Sequence, residues 1–491
     1  MEKTGEVLRE TFDRNWTEPF LFDAVRGRTL TYGDFFGSVL NCREALEAQG
    51  IRKGDRVCLI LDNSLELAIL YFTAIAMGTV AVPVDPHKGE VEIGDILSQV
   101  RDRRVIADSA GRAGTYAGVL IDTISQAFYR PRPAARQELA VFGTLDYDAL
   151  MLITFTSGST GVPKGVMHSC NNLVQCALAF RERFSLGPGS VFYHNLPMTY
   201  MAGILNLLIL PFVAGAKVVI DGRFSVSRVL RFWEVPRKYG ANTFWFIPTI
   251  VILLLEMDRD AAAREYFTDT PVLAFVGTAP LSPGIGEKFD EKYGIRLYPS
   301  YGLSETLFVA TTHPAADSPD DSVGPVLDAV SLAFADDDEI LICVPWMFRG
   351  YYNADTAPFF VDGYFRSGDF GRFDDRGMLK ITGRKKDLII RGGINISPRR
   401  IEDYLYRTGT FRDCIVLGLK NYSLGEKTGC FYVAATPLPN EHRQEINRAI
   451  ARDLGRDYAI DEFIRLDAVP KNLNGKVDKQ KILEIYAGTA P

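Results

Sequence analysis

Short apolar runs alternate with longer apolar or amphipathic stretches through the first 330 residues. The run RVCLIL at 56–61 precedes SLELAILYFTAIAMG at 64–78, and VAVPVDP follows it. The same order recurs where NTFWFIP at 242–248 is followed by TIVILLLEMDRDAAAREYF at 249–267, which predicts a further helix. Strand–helix–strand order with Gly or Pro at the boundaries is typical of parallel sheets covered by helices. We therefore predict an α/β fold with parallel-rich sheets.

The pattern changes after about residue 330. The segments EILICVP at 339–345 and GYFRSGDFGRFDDRGMLKITGR at 363–384 read as short antiparallel strands joined by tight turns. They predict a small β-barrel-like part of the large domain. Residues 385–491 have the size of one small α+β domain. We predict two domains, a large N-terminal domain over 1–384 and a small C-terminal domain over 385–491.

One segment approaches the length of a membrane span. GILNLLILPFVAGAKVVI at 203–220 is mostly apolar, but it contains Asn206, and Pro211 would break a helix midway. Gly215 and Lys217 indicate a turn before a final short strand. The segment is best explained as a buried helix, a break and a buried strand, so no membrane span is predicted.

Composition limits the function classes without choosing among them. The 491 residues are 47% apolar and 24% charged, with a formal charge of −6, which argues against a broad nucleic-acid-binding face. The seven cysteines are scattered, without a CxxC pair or a His/Cys cluster, which argues against a zinc site and favours reduced thiols. The charged start MEKTGEVLRETFDRNW is unlike a signal peptide. A cytoplasmic enzyme is the resulting expectation.

The segment TFTSGSTGVPKG at 154–165 is rich in hydroxyls and glycines and carries one lysine. It is neither a Walker loop, because Pro163 stands where the second Gly is required, nor a GxGxxG turn. Its hydroxyls, flexible backbone and Lys164 nevertheless suit a phosphate group. Taken alone, the segment is equally compatible with a solvated surface loop.

Four other stretches favour a nucleotide site over a solvated surface loop. YPSYGLSET at 298–306 offers an aromatic ring, a hydroxyl and a carboxylate after a strand, and FRSGDFG at 365–371 places Asp369 after a Gly. TGRKKDLIIRGG at 382–393 clusters basic residues beside a Gly pair, and NGKVDK at 474–479 holds Lys476 on a turn. A ribose-binding carboxylate, a ring for adenine, a metal carboxylate and a phosphate loop together predict a nucleotide site.

In this order and spelling, these motifs resemble the adenylate-forming superfamily of acyl- and aryl-CoA synthetases, nonribosomal peptide synthetase adenylation domains and luciferases. The resemblance extends from LTYGDF near the start to NGKVDK near the end. It implies ATP-dependent activation of a carboxylic acid as an acyl-AMP, with Mg²⁺ and release of pyrophosphate. A thiol, from coenzyme A or a phosphopantetheine arm, would then displace AMP.

The resemblance also implies roles for individual residues. Lys476 would bridge the acid and the α-phosphate, Ser304 would contact the α-phosphate, and Glu305 would bind Mg²⁺. Asp369 would hold the ribose with help from Arg384. The other nucleotide contacts would come from the phosphate loop and from two strand ends: Thr156, Ser157, Gly158, Ser159, Thr160, Gly161, Lys164, Gly277, Thr278, Ala279, Tyr301 and Gly302.

In this family the small C-terminal domain is mobile and rotates after adenylation. Lys386 matches the hinge position, and Gly392 and Gly393 match the strand that lines the thiol tunnel. The implied acyl pocket is aromatic and apolar, which suits an aryl or alkyl acid, although the same side chains could simply be sheet core. Its expected members are Tyr200, Gly203, Trp245, Phe246, Phe275 and Val276.

Two departures from common spellings leave alternatives open. Tyr200 in PMTYMAG replaces a frequent His, and that segment lacks the Asp that peptide synthetases use to bind an α-amine. An ordinary α-amino acid is therefore disfavoured. Coenzyme A is the expected thiol, with a carrier protein in trans or a nitrogen nucleophile as alternatives. A non-catalytic nucleotide-binding homologue is the alternative from another class, against which the presence of Lys476, Glu305, Asp369 and Arg384 argues.

Overall fold

The structure, a computed structural model, describes residues 2–132, 136–156, 163–260, 262–268, 270–281, 284–314, 322–391, 394–407, 411, 413–422, 424–471 and 477–489. The strands are β1 Pro19–Asp23, β2 Arg28–Thr31, β3 Arg56–Ile60, β4 Val80–Val84, β5 Arg103–Ala107, β6 Val119–Leu120, β7 Leu150–Thr156, β8 Lys164–Ser169, β9 Val191–His194, β10 Lys217–Ile220, β11 Thr243–Phe246, β12 Leu273–Val276, β13 Leu297–Leu303, β14 Leu307–Thr311, β15 Ser331–Phe334, β16 Glu339–Cys343, β17 Tyr351–Tyr352, β18 Phe360–Val361, β19 Tyr364–Phe373, β20 Leu379–Arg384, β21 Ile389–Arg391, β22 Ile394–Ile396, β23 Asp413–Asn421, β24 Gly425–Val433 and β25 Glu462–Leu466.

The α-helices are α1 Thr4–Arg14, α2 Tyr32–Ala48, α3 Leu65–Met77, α4 Glu90–Gln99, α5 Ala110–Thr115, α6 Ile121–Phe128, α7 Cys170–Phe184, α8 Leu210–Val213, α9 Glu234–Tyr239, α10 Pro248–Met257, α11 Ala262–Thr268, α12 Ile285–Tyr293, α13 Pro398–Arg407, α14 Asn440–Asp453 and α15 Lys479–Thr489. A π-helix, Ala202–Ile209, runs directly into α8.

Two large sheets form the body of the protein. The first has the strand order β14-β13-β12-β11-β9-β10-β1-β2, and the second has the order β17-β8-β7-β4-β3-β5-β6. Their central strands pair in parallel, while the β1–β2, β13–β14, β7–β8 and β8–β17 pairs are antiparallel. In parallel sheets the carboxyl ends of neighbouring strands meet at one edge, which brings the loops after them together.

Helix α3 illustrates how the apolar runs fold. All of its residues from Leu65 to Met77 are buried, so it is a core helix rather than an amphipathic surface helix. Ser64 caps its start by accepting a hydrogen bond from the Leu67 amide, and Gly78 ends it in the left-handed conformation at φ 67°. The sequence-based assignment of this segment is confirmed.

The segment at 203–220 is helical and then extended, but the break predicted at Pro211 is wrong. The π-helix Ala202–Ile209 continues through Pro211 to Val213, and the turn comes only at Gly215, with φ 66°. In a π-turn the hydrogen bonds skip one residue more than in an α-helix, so the absent amide hydrogen of Pro211 disturbs the helix less. Among the described residues, no helix is long and apolar enough to cross a membrane.

The helix predicted over 249–267 is interrupted. It divides into α10 and α11, because Asp258 is extended (φ −67°, ψ 137°). The buried Asp258 carboxylate accepts hydrogen bonds from the Trp233 indole at 3.2 Å and the Tyr293 hydroxyl at 2.7 Å. These tertiary bonds outweigh the helical preference of the surrounding residues.

Two smaller sheets follow. The expected small β part is a five-stranded antiparallel sheet of β15, β16, β18, β19 and β20. Strands β21–β25 form a separate five-stranded sheet, and their side chains pack with α13, α14 and α15 into clusters of their own, around Val416 and around Phe431. The domain boundary at 384/385 stays a prediction.

Candidate functional site

Tyr301, Asp369 and Arg384 form a buried, hydrogen-bonded group. The hydroxyl of Tyr301, on β13, donates to Asp369 Oδ2 at 2.8 Å. Arg384 stands opposite Asp369 in the β19–β20 register, and its Nε donates to Asp369 Oδ1. Burial opposes the charge of Arg384, but the Asp369 carboxylate more than offsets it and raises the pKa of the guanidinium. A carboxylate in an aromatic and cationic setting is thus fixed at this edge of the first sheet.

Glu305 and Lys164 meet at the ring of Tyr351. The Tyr351 hydroxyl donates to Glu305 Oε1 at 2.7 Å, and Lys164 Nζ lies 5.2 Å from the centre of the Tyr351 ring and 4.4 Å from that of Phe359. Tyr351 reaches this position because β17 pairs with β8, where Tyr351 stands opposite Val166. The contact joins the base of the phosphate loop to the predicted metal carboxylate.

The turn that carries Ser304 and Glu305 is held by a buried histidine. His168 Nε2 lies 2.6 Å from the Ser304 carbonyl oxygen, so this nitrogen is the protonated one, and the Nδ1 atom has no partner among the described residues. Burial lowers the pKa of His168 to about 4, with the hydrogen bond to Ser304 opposing it. His168 is neutral near pH 7 and acts through the backbone of the turn.

A second neutral histidine fixes the start of the π-helix. His194 Nε2 donates to the Gly203 carbonyl at 2.9 Å, and burial lowers the pKa of His194 to about 4. Gly203 cannot carry a side chain, because a Cβ atom there would lie 2.1 Å from the Pro197 carbonyl oxygen. This close approach sets the position of Tyr200 at the mouth of the pocket. Burial raises the pKa of the Tyr200 hydroxyl, while Arg384 lowers it and Glu305 raises it further.

The segment after β12 is also tightly constrained. A Cβ atom on Gly277 would lie 2.8 Å from Ser300 Oγ, so a larger residue at 277 would collide with β13 rather than just fill the pocket. Thr278 has φ 70°, and Ala279 follows it, half-buried. Gly302 lies at a bulge in the β13–β14 pair, where a Cβ atom would be 2.0 Å from the Leu307 carbonyl oxygen.

A cavity of about 80 Å³ opens between the π-helix and the ends of β11 and β13. Five of the predicted binding residues line it, together with residues that the sequence analysis did not single out. The predicted ones are Tyr200, Trp245, Thr278, Tyr301 and Gly302, joined by the predicted catalytic residue Ser304, and the others are Met201, Ala202, Leu205, Asn206, Ser300, Leu303, Leu307 and Phe308.

Four residues expected in the acyl pocket, Gly203, Phe246, Phe275 and Val276, do not line this cavity. Successive strand residues face opposite sides of a sheet, so Trp245 and Phe246 point apart. Phe246 packs on Phe289, with ring centres 5.5 Å apart, and Val276 stands beside Phe246 in the β11–β12 register. Phe275 shares the face of Trp245 and stacks on it at 4.7 Å, as a supporting layer behind the cavity wall.

This arrangement has counterparts among known proteins. Residues 8–352 match the family of AMP-binding enzymes, which is well over half of the chain. The chain belongs to this family. The predicted membership of the adenylate-forming superfamily is thereby confirmed.

This AMP-binding enzyme is 27% identical over 490 residues to the sulfoacetate–CoA ligase of Cupriavidus necator, with 95% of this chain and 94% of the relative covered. It is 28% identical over 526 residues to the long-chain-fatty-acid–CoA ligase of Mycobacterium tuberculosis, with both chains fully covered. These relatives are CoA ligases, which confirms the predicted enzyme class, a carboxylic acid–thiol ligase.

Solved structures give the same fold. The ATP-bound MatB of Rhodopseudomonas palustris superposes with a TM-score of 0.86 at 24% identity, over 98% of this chain and 99% of the other. A fatty acyl-CoA synthetase of Mycobacterium tuberculosis gives 0.78 at 25% identity, over 99% of each chain. The predicted α/β class, with a large sheet-rich part followed by a C-terminal part, is confirmed, whereas the mobility of the C-terminal part stays a prediction.

Several predicted site residues of the AMP-binding enzyme lie outside the described residues. They are Ser157, Gly158, Ser159, Thr160 and Gly161 of the phosphate loop, Gly392 and Gly393 of the expected thiol tunnel, and Lys476. Thr156 is described and ends β7, opposite Lys164 in the β7–β8 register. Lys386 lies in a single 3₁₀ turn between β20 and β21, where Asp387 is paired with Lys479 of α15 at 2.7 Å.

Three functional candidates were missed by sequence reasoning. Tyr351 contacts Glu305 across 46 residues and His168 contacts Ser304 across 136 residues, and no local motif reveals either contact. Asn206 was noticed as a polar residue in an apolar run, and that signal was sufficient to suspect a binding role. It was used instead as an argument against a membrane span.

Proposed function

We propose that the protein activates a carboxylic acid with ATP as an acyl-adenylate and then transfers the acyl group to coenzyme A. The observation that carries this proposal is a cavity that Tyr301, Ser304 and Trp245 line together, with the Asp369 carboxylate hydrogen-bonded to Tyr301. Nucleotide-type groups and a small-molecule pocket share that cavity, as an enzyme joining AMP to an acid requires.

In this proposal Asp369 accepts the ribose hydroxyls, and Arg384 holds that carboxylate in place. Tyr301 presents its ring to adenine, beside Gly302 and the 277–279 segment. Ser304 donates to the α-phosphate. Lys164, with the phosphate loop from Thr156 to Gly161, binds the β- and γ-phosphates, since a lysine and backbone amides are suited to such anions.

Glu305 suits Mg²⁺, because this ion is usually held by one or two carboxylates together with substrate phosphates. No cluster of three or more metal-ligating side chains occurs in the described part of the chain, which agrees with a site completed by the nucleotide. Bound there, Mg²⁺ would neutralise phosphate charge. Tyr351 orients the carboxylate for this task by its hydrogen bond to Oε1.

Lys476 is proposed to stabilise the negative charge that develops between the acid and the α-phosphate. The unit 385–491 would then rotate about Lys386, so that Gly392 and Gly393 line the entry of the thiol. All seven cysteines are unpaired, which supports a reducing cytoplasmic compartment.

Pyrophosphate exchange with ATP, Mg²⁺ and a panel of carboxylic acids tests the first half-reaction. Lys476→Ala should slow adenylation by about 10²–10³-fold, the usual cost of removing one donor to a transition-state oxyanion. Lys420→Ala, on the exposed edge of β23, is the matched control and should leave the rate unchanged. Full exchange in Lys476→Ala would contradict the proposed mechanism.

Adding the acceptor tests the second half-reaction. Coenzyme A should convert the adenylate into a thioester with release of AMP. If only a phosphopantetheinylated carrier protein or an amine captured the acyl group, the proposed acceptor would be wrong while the adenylation step stood. If no acid supported exchange, the protein would be a non-catalytic nucleotide-binding homologue.

A further inference from the structure

The cavity contains a polar side chain whose hydrogen-bonding capacity is unused. Asn206, on the π-helix, is 6% exposed and lines the cavity, and its side-chain amide makes no hydrogen bond with any residue that the structure describes. A buried amide without a partner costs about 1–3 kcal/mol, so native proteins seldom leave one in place without a reason.

Thr278 presents a second such group in the same cavity. Its Oγ1 atom is buried and has no hydrogen-bond partner among the described residues. Its backbone is left-handed at φ 70°, a conformation that is unfavourable for a β-branched residue. Backbone strain together with an unpaired hydroxyl indicates a group held ready for a ligand.

The remaining wall limits the size of that ligand. The cavity of about 80 Å³ holds roughly three water-sized groups at ~30 Å³ each. Trp245 closes its end, since its ring is stacked between Phe275 at 4.7 Å and Phe308 at 5.3 Å. Because Trp245 blocks this end, the cavity favours a short acid over a long chain or a large aryl ring.

The charges around the cavity limit the chemistry of the ligand. None of the described residues that line it is charged. The charged groups Glu305 and Arg384 act on Tyr200, and they are hydrogen-bonded to Tyr351 and Asp369 respectively. A second carboxylate or a sulfonate on the acid would therefore be buried without a counter-charge, at a cost of several kcal/mol.

We propose that the substrate is a short carboxylic acid carrying one uncharged oxygen substituent, a hydroxyl or a carbonyl, which binds to Asn206 and Thr278. This inference rests on the proposed function and specifies the class of carboxylic acid that is activated. The Asn206 amide offers both a donor and an acceptor, and the Thr278 hydroxyl does the same. An acid without the oxygen leaves both groups buried and unpaired, which is the kind of mismatch that discriminates strongly between substrates.

The test compares four acids of four carbons each, and octanoate, in pyrophosphate exchange. Butyrate lacks the oxygen, 3-hydroxybutyrate and 3-oxobutyrate carry it, succinate carries a second charge, and octanoate is long. The specificity constant kcat/KM should be about 10- to 100-fold higher for 3-hydroxybutyrate or 3-oxobutyrate than for butyrate. Succinate and octanoate should be poorer than butyrate.

The variant Asn206→Leu tests whether Asn206 is responsible for the preference for the hydroxy- or oxo-acid over butyrate. This nearly isosteric change should lower the ratio of kcat/KM for the hydroxy- or oxo-acid to kcat/KM for butyrate at least tenfold. Asn440→Leu, at the exposed first position of α14, is the matched control and should keep the wild-type ratio. Thermal denaturation of both variants checks that each is folded.

Different outcomes would contradict the substrate class and the adenylation chemistry. Exchange that is fastest with octanoate, succinate or butyrate would overturn the substrate class while leaving the adenylation chemistry intact, and this outcome needs no variant. A wild-type preference that survives Asn206→Leu would overturn the role of Asn206. Absence of exchange with every acid would overturn the proposed function and this inference together.

Discussion

At the scale of single residues, the site depends on neutral groups that position charged ones. His168 holds the Ser304 carbonyl, Tyr351 holds Glu305, and Tyr301 shares Asp369 with Arg384. Tyr301 joins β13 to β19, and His168 of β8 and Tyr351 of β17 hold the turn after β13. Strand residues therefore orient these groups. This is the arrangement expected where a nucleotide must be bound in one geometry.

Tyr351→Phe tests this idea at the predicted metal carboxylate. The change removes a 2.7 Å hydrogen bond to Glu305 and keeps the ring beneath Lys164. We expect KM for Mg²⁺–ATP to rise by about tenfold or more, the effect of losing one hydrogen bond to a charged group, with a smaller effect on KM for the acid. Steady-state kinetics over a Mg²⁺ titration measures both.

Tyr352→Phe is the matched control, because Tyr352 is the next residue on β17 and points to the other face of the strand. Equal KM values for Mg²⁺–ATP in Tyr351→Phe and Tyr352→Phe would contradict the assigned role of Tyr351.

The motif residues of the site could be proposed from the sequence because their spelling is local, and their binding roles stay predictions. Tyr301, Ser304 and Glu305 lie at or just after the end of β13, and Arg384 ends β20, whereas Asp369 lies within β19 opposite Arg384. Contacts between segments that are distant in the sequence could not be predicted in this way. The contacts of Tyr351 with Glu305 and of His168 with Ser304 are of this kind. The separation of Trp245 from Phe246 follows from strand periodicity alone and could have been predicted.

At the scale of elements, the π-helix determines the shape of the acyl pocket. Its wide turns keep the backbone helical through Pro211, a position where the sequence predicts a break. Such turns are frequent at functional sites because they shift the side chains of one helical face relative to the regular pattern. Here the helix brings Met201, Leu205 and Asn206 to the cavity opposite Trp245.

Trp245→Ala tests the wall that this helix faces. Removing the indole opens the cavity towards Phe275. We therefore expect the ratio of kcat/KM for octanoate to kcat/KM for butyrate to rise by about tenfold or more, which is the effect of accommodating one to a few additional methylene groups. The same change should destabilise the protein by about 3–5 kcal/mol, because a fully packed aromatic ring is lost. Exchange assays and urea denaturation provide the two measurements.

Phe246→Ala is a matched control on the opposite face of β11. It removes a comparably buried ring that packs on Phe289, away from the cavity. We expect a similar loss of stability and an unchanged ratio of octanoate to butyrate. An equal shift in chain-length preference in both variants would exclude Trp245 as the end of the pocket.

At the scale of the whole molecule, the first two sheets and the C-terminal sheet carry buried ionisable groups with opposite pKa shifts. Burial lowers the pKa of His168 from 6.5 to about 4, so the folded state binds fewer protons than the unfolded state between these values. Burial raises the pKa of Glu402, on α13, from 4.5 to about 7, against the opposing effects of the Val416 amide, Arg399 and Lys479. There the folded state binds more protons.

The two groups therefore change the free energy of unfolding in opposite directions with pH. The contribution of His168 is fully present above pH 6.5 and is lost as the pH falls towards 4, while Glu402 weakens the folded state as the pH rises from 4.5 to 7. Each shift corresponds to about 3 kcal/mol at its limit. His168→Gln should raise stability relative to wild type increasingly towards pH 4, and Glu402→Gln increasingly towards pH 8.

Denaturant unfolding at several pH values, followed separately by probes in the two parts of the molecule, measures these differences. Glu402→Gln keeps an acceptor for the Val416 amide, which lies 2.8 Å from Oε1, so its effect isolates the charge. Glu441→Gln and His442→Gln, exposed on α14, are the matched controls and should show no such trend. Parallel pH profiles for His168→Gln and Glu402→Gln would contradict the opposite coupling. Opposite profiles would mean that mild acid lowers the free energy of unfolding through His168 while it raises it through Glu402.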